Sequence, residues 1–408
     1  MDSGVRKSVT VLTSSTIAFV TCFMIWMVFA VLGLPIKQQL HLNETEFGLL
    51  TAMPVLSGSL IRVPLGIWAD RFGSRIVFFL VMLVCVPAVW LLEYAHTYSQ
   101  FLWIALWLGL VGGSFSVGTP YVAKWFRKER QGLAMGIFGA GNAGAALNKF
   151  LAPVLITAYG CWQVVPRVYA VILLVITVLF WFFSYPEPKA ANAKQPSLKA
   201  QLLLMKNPQV LKYSQLYSVV FGGYVGISLW MVSYYVNEYR FDLTQAALLA
   251  ACFSLPGGVL RAFGGWLSDK YGAYKVTWAV MWVCWVAFFL LSYPQTQMSI
   301  RTVSGHLDMH IGLNATVFTV LLFVVGVALA IGKASVFKFI SDEFPEDMGT
   351  VSGVVGLAGG LGGFLLPIMF GVLVDWTGIR SSSFMLMFGT VCISLIWMHF
   401  SLKKQKHQ

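Results

Sequence analysis

Apolar residues fill this chain in runs of about twenty, long enough to cross a hydrocarbon core as helices, and polar residues gather in the breaks. Twelve runs can be drawn, near 12–34, 46–69, 75–95, 100–123, 131–158, 164–184, 211–236, 243–268, 274–293, 316–340, 348–374 and 381–402. Neither the apolar–polar alternation of strands nor the charged helix faces of a soluble α/β protein stand out. The pattern predicts an all-α, polytopic membrane protein with twelve transmembrane helices. The first run is not a cleaved signal peptide: it is too long, and no small-residue cleavage site follows it.

Composition agrees. Of 408 residues, 58% are hydrophobic and 11% charged, against roughly 25% charged in a soluble domain. The charges then orient the chain. Both ends and the breaks after spans 2, 4, 6 and 8 hold 18 of the 28 Lys and Arg, including Arg71, Arg75, Lys124, Arg127, Lys270 and Lys275. The other breaks hold five: Lys37, Arg167, Arg240, Arg301 and Arg380. The positive-inside rule places both termini in the cytoplasm. The net charge of +12 is therefore a topology signal and not a sign of nucleic-acid binding. Six scattered cysteines and six histidines in loops or near the tail have no metal or redox spacing, so neither a metal site nor a cofactor is expected.

The chain repeats itself. A Pro-, Ala-, Lys- and Gln-rich stretch from Tyr185 divides six spans from six, which predicts an N-terminal bundle over 1–184, a linker over 185–210 and a C-terminal bundle over 211–408. Gly58, Arg62, Gly66, Asp70 and Gly73 match Gly257, Arg261, Gly265, Asp269 and Gly272 at a constant offset of 199. Span 5, "GIFGAGNAGAALNKFLAP", also resembles span 11, "GVVGLAGGLGGFLLP". Paired repeats with a site at their interface are a recurrent transporter design. The glycines Gly139, Gly141 and Gly144, and Gly356, Gly359 and Gly360, let backbones approach closely, so these helices could slide or rock; static packing is the plainer alternative.

Arg62 and Arg261 each lie two helical turns before a loop aspartate, about 12 Å into the membrane at 1.5 Å per residue. An arginine so placed is costly and by default marks function facing the bundle interior. The repeat brings the two face to face, where they repel unless something negative lies between them. The alternative is pairing with backbone carbonyls or with a carboxylate of another span, but the spans offer almost no acids. Guanidinium binds planar oxyanions bidentately and stays charged, so the missing partner reads as an anionic substrate. No nucleophile, base and orienter set points to an enzyme.

The pattern Gly66-x-x-x-Asp70-Arg71-x-Gly73-x-Arg75, echoed from Gly265 to Lys275, resembles the signature loop of the major facilitator superfamily, with Asp70 and Asp269 as gate residues. Within it, span 2 from Met53 to Gly66, Gly141-Asn142-x-Gly144 of span 5 and "GLAGGLGGFLLP" of span 11 resemble the nitrate/nitrite porter family over essentially the whole chain. The resemblance implies two pseudo-symmetric six-helix bundles, nitrate and nitrite as substrates, and rocker-switch alternating access in a bacterial inner membrane by a functional monomer. It implies that Arg62 and Arg261 clamp the anion, that Asn142 donates to it, and that Phe23, Phe115, Tyr217 and Phe221 close over it. Lys149 and Lys333 depart from antiporter-like members of the family; they are read as added positive charge at the cavity or as proton-linked groups, since burial disfavours a charged lysine. Lys338 is read as snorkelling. Nitrate/proton symport and nitrate/nitrite exchange both stay open, as do a carrier for another small anion and a nitrate-sensing transceptor.

Overall fold

The computed structural model describes residues 3–187, 206–344 and 348–406, almost all of them helical. The linker predicted over 185–210 falls mostly on 188–205, outside the described residues. Span 1 joins Ser3–Trp26 to Phe29–Leu40, and span 2 joins Glu44–Leu60 to Arg62–Phe72. Span 3 is Ser74–Leu91, span 4 joins Tyr98–Leu108 to Ser114–Ala123, span 5 joins Lys128–Gly139 to Gly144–Tyr159, and span 6 is Val164–Phe183. In the second half, span 7 joins Pro208–Tyr217 to Gly223–Tyr239 and span 8 joins Leu243–Val259 to Arg261–Tyr271. Spans 9 to 12 are Ala273–Leu291, Ala315–Glu343, Met348–Thr377 and Ser382–Lys406.

Ten of these are long and apolar enough to cross a membrane, and span 8, bent by 48°, makes an eleventh. Glycine-rich span 5 packs among them against spans 1 and 8. Span 1 starts well before the sequence-drawn boundary at residue 12, because Ser8 and Thr10 turn their hydroxyls back onto helix carbonyls and so satisfy themselves within a helix. One expectation fails outright. The break between spans 9 and 10 is not plain loop but an antiparallel hairpin, β1 (Thr296–Thr302) with β2 (Gly305–Ile311), paired from Thr296↔Ile311 to Thr302↔Gly305. Outside the apolar spans a short alternation, Met298 and Ile300 facing Leu307 and Met309, is enough to form a ladder.

Local chemistry sets the helix ends and breaks. Span 2 starts at a capping box in which Asn43 accepts from Glu46 N and Glu46 accepts from Asn43 N, and Thr97 with Gln100 starts span 4 the same way. Both repeats break one residue before their arginine, at Ile61 and Leu260. Pro64 has no N–H for the Leu60 carbonyl, and Pro256 likewise weakens the last turns of Leu243–Val259. After each second segment Gly73 (φ 92, ψ 135) and Gly272 (φ 86, ψ 140) turn the chain in a conformation that costs any other residue dearly. Gly272→Ala should therefore destabilise the protein by about 1–3 kcal/mol. Gly265→Ala, in a helix with open space around an added Cβ, should leave the melting temperature unchanged or raise it. Thermal unfolding of the two solubilised variants checks the opposite signs.

The halves close on each other at the face opposite the termini. There an added Cβ at Gly48 of span 2 would lie 2.9 Å from Pro367 C and 3.0 Å from Ile368 Cα of span 11, and deeper, at mid-bundle, one at Gly258 of span 8 would lie 2.6 Å from Ala143 N of span 5. At the outer edge Glu44 pairs with Lys37 (2.6 Å) and with Arg380 of the other half (3.0 Å). Asp375 accepts from Glu44 N, Thr45 N and Thr45 Oγ1 at 3.1, 2.8 and 2.6 Å, placing an anion of span 11 at the positive N-terminus of span 2. Towards the termini face, Arg62–Phe72 barely touches span 11.

Candidate functional site

Midway along the bundle, where the two halves meet, lies a small cavity of about one water molecule's size. Both arginines line it, with Asn142, Phe23, Phe115, Tyr217 and Phe221. Each arginine is the first residue after its helix break, so a repeated backbone feature aims both at one point. Among the described residues neither pairs with a carboxylate. Arg62 Nη1 donates to Gly356 O (3.1 Å), so the carbonyl alternative holds for one of its nitrogens, while its buried Nε has no acceptor.

Aromatic faces replace carboxylates around the cations. Arg62 Cζ lies 5.9 Å from the Trp26 ring and 5.5 Å from Phe221; Arg261 Cζ lies 5.3 Å from Phe115 and from Phe337. Tyr217 and Phe221 stack at 5.3 Å, an interplanar angle of 5°, across a π-helical turn at Ser218–Gly222. Asn142 sits in a 3₁₀ turn at Ala140–Ala143, and its buried Nδ2 has no acceptor. Such irregular turns inside helices recur at functional sites.

The glycines of spans 5 and 11 make room for particular neighbours. Gly139 faces Arg261 Cδ, 3.5 Å from an added Cβ, and Gly356 faces Arg62 Nη1 at 3.8 Å, so each half seats the other half's arginine. Gly141 leaves room for the Phe19 ring, and Gly359 for Tyr217 and Phe221. These two contacts lie within one half and shape the cavity wall. Gly144 packs on the backbone of span 1, and Gly360 meets Ser59 across the halves.

Phe19, Trp26 and Gly112, also in the lining, escaped the sequence reading. Phe19 and Trp26 flank Phe23 at helical spacing, a signal that was present. The two lysines Lys149 and Lys333 are buried beside the site and are not among the cavity-lining residues. Lys149 is fully buried outside the cavity lining, donating to Ser228 Oγ (2.8 Å) and Ser254 Oγ (2.7 Å), and Lys333 donates to Gly257 O (2.6 Å) over the Tyr224 ring (3.6 Å). Lys338 pairs with Asp269 (3.5 Å) and Asp342 (2.8 Å), so the repeat aspartate of the second half meets a cation of the neighbouring span instead of leaving it to snorkel alone. The side chain of Asp70 lies outside the described residues.

Residues 15–367 match the family model described as Major Facilitator Superfamily, with a second match over 235–407. The chain is 37% identical to the "Probable nitrate/nitrite antiporter NarK1" of Thermus thermophilus, over 98% of this chain and 92% of that one. It is 30% identical to the "Probable nitrate transporter NarT" of Staphylococcus epidermidis over 99% of both. Its fold resembles the crystal structure of a bacterial homologue of the human lysosomal transporter Spinster, with a TM-score of 0.72 at 14% identity over 98% of this chain and 97% of that one.

Proposed function

The chain belongs to the nitrate/nitrite porters of the Major Facilitator Superfamily, and from that premise we propose that it carries nitrate and nitrite by alternating access. The observation that carries this is the cavity itself: two guanidiniums and the unpartnered donors Arg62 Nε and Asn142 Nδ2 around one small space, with no paired carboxylate among the described residues. Such a donor set favours a small acceptor-only anion. A planar oxyanion takes bidentate bonds from an arginine and presents its faces to Tyr217, Phe221 and Phe115. We place the carrier in a bacterial inner membrane with both termini in the cytoplasm, on the basic breaks that share the termini face, and take the monomer as the working unit.

Exchange is the coupling we favour. Without an anion, the two arginines repel and hold the empty carrier from reorienting; with one, the positive pair is offset. Moving nitrate in against nitrite out also avoids the cost of anion uptake against an inside-negative potential, about 2.3 kcal/mol per charge per 100 mV. Two fully buried lysines with neutral partners support a second reading, proton symport. Uptake of labelled nitrate into proteoliposomes decides between them. Exchange predicts uptake driven by trapped nitrite and indifferent to a proton ionophore. Accumulation without nitrite that stops with the ionophore replaces exchange by symport, and no uptake of either anion removes the carrier reading.

Asn142→Ala should raise the half-saturation for nitrate by roughly 10- to 150-fold, since a hydrogen bond to a charged group contributes about 1.5–3 kcal/mol. Because Asn142 Nδ2 bonds to no described residue, the fold should be unaffected. An unchanged half-saturation at normal expression means that Asn142 only packs.

A further inference from the structure

Beyond the cavity, the halves are joined by one buried polar cluster that the arginine clamp does not use. Lys149 of span 5 is fully buried, and its Nζ donates to Ser228 Oγ of span 7 (2.8 Å), Ser254 Oγ of span 8 (2.7 Å) and Ala145 O of its own helix (3.5 Å). The two serine oxygens are 2.8 Å apart, and Ser254 Oγ reaches Ala250 O at 3.3 Å. All three ammonium protons thus have acceptors, two of them in the opposite half, and none of the acceptors is charged. An ammonium buried against neutral oxygens is poorly compensated. As packing, a methionine or glutamine would serve better, so the charge points to a use in another state.

The route supplies that use. Lys149 lies seven residues beyond Asn142 on span 5, two turns or about 10 Å along the helix and on the same face. The direction is away from the termini: farther along, Thr157 meets Thr244 of span 8 at 3.3 Å. Gly258 and Ala143, whose backbones touch beside this cluster, must separate for the cavity to open to that face. That same movement draws Ser228 and Ser254 away from Lys149 and leaves its ammonium on the wall of the opened path. Lys333 stays behind with the second half, held by Gly257 O and the Tyr224 ring.

We propose that Lys149 is a second, state-dependent anion-binding residue: the two serines clasp it while the halves are closed opposite the termini, and when they part its ammonium receives the incoming small oxyanion and passes it to the arginines. This rests on the carrier reading above and names the outer subsite it uses. A static contact would act alike from both faces, whereas this device is one-sided.

Half-saturation for nitrate is measured from each face separately in proteoliposomes whose orientation is fixed by proteolysis of a terminal tag. Lys149→Gln should raise it about tenfold at the face opposite the termini and change it less than about twofold at the termini face, as expected for one lost charge-assisted contact. Lys149→Arg should restore the wild-type value. Ser228→Ala with Ser254→Ala frees the lysine and should keep or lower the value at the opposite face. Equal effects of Lys149→Gln at both faces, no effect at either, or a weaker opposite-face affinity in the serine double variant overturn the proposal. Wild-type protein that moves neither nitrate nor nitrite overturns the carrier reading and this one together; a working wild type with a symmetric Lys149→Gln overturns this one alone.

Discussion

Nitrate uptake falls to about one hundredth of wild type or less when Arg62 or Arg261 is replaced by lysine, while the protein still reaches the membrane; this is the expected result of losing bidentate recognition. Lysine keeps the charge, so attraction of the anion alone cannot account for the loss. What disappears is the planar fork. Arg62 spends one nitrogen on Gly356 O, leaves its Nε without an acceptor, and lies between Trp26 and Phe221. An ammonium is a compact point charge that cannot do all three. Arg261, with Phe115 and Phe337 each 5.3 Å away, loses the same aromatic contacts. Labelled-nitrate uptake normalised to reconstituted protein measures the effect, and wild-type uptake in either variant removes the clamp.

Gly258→Val should abolish exchange. An added Cβ at Gly258 would stand 2.6 Å from Ala143 N and 2.9 Å from both Ala143 Cα and Asn142 C, backbone atoms that cannot swing aside. The halves then cannot close opposite the termini, and the carrier is held open there. A variant that reaches the membrane at normal levels and shows no counterflow is the expected result. Normal exchange would mean that the contact between spans 5 and 8 is not a moving one. Gly141 and Gly359, which looked like moving contacts in the sequence, should behave differently: filling them displaces Phe19, or Tyr217 and Phe221, and so damages the cavity wall.

The spans, the repeat and the two arginines were legible because a membrane makes few demands and makes them loudly. A charge in an apolar run is conspicuous, and an offset of 199 survives in glycine, arginine and aspartate together. Asn142 and the four aromatics came from the family resemblance; the ring of Phe19 and the indole of Trp26 were missed, although they share a helix face with Phe23. The partners of the lysines were not legible because they lie far along the chain: Ser228 and Ser254 are 79 and 105 residues from Lys149, and Gly257 is 76 from Lys333. No local pattern shows which oxygen will meet an ammonium. The roles of the glycines were hidden for the same reason, since a glycine announces that something comes close and not what.

The hairpin between spans 9 and 10 has a use that its chemistry does not require. Seven residue pairs join its strands, and Val303 at its tip is fully exposed. Loop tips of this kind accept insertions. An epitope placed between Thr302 and Gly305 would give an antibody fragment a firm footing on the face away from the termini. In intact cells such a handle would report sidedness directly, and on single particles it would give a small, nearly featureless membrane protein an asymmetric landmark for alignment.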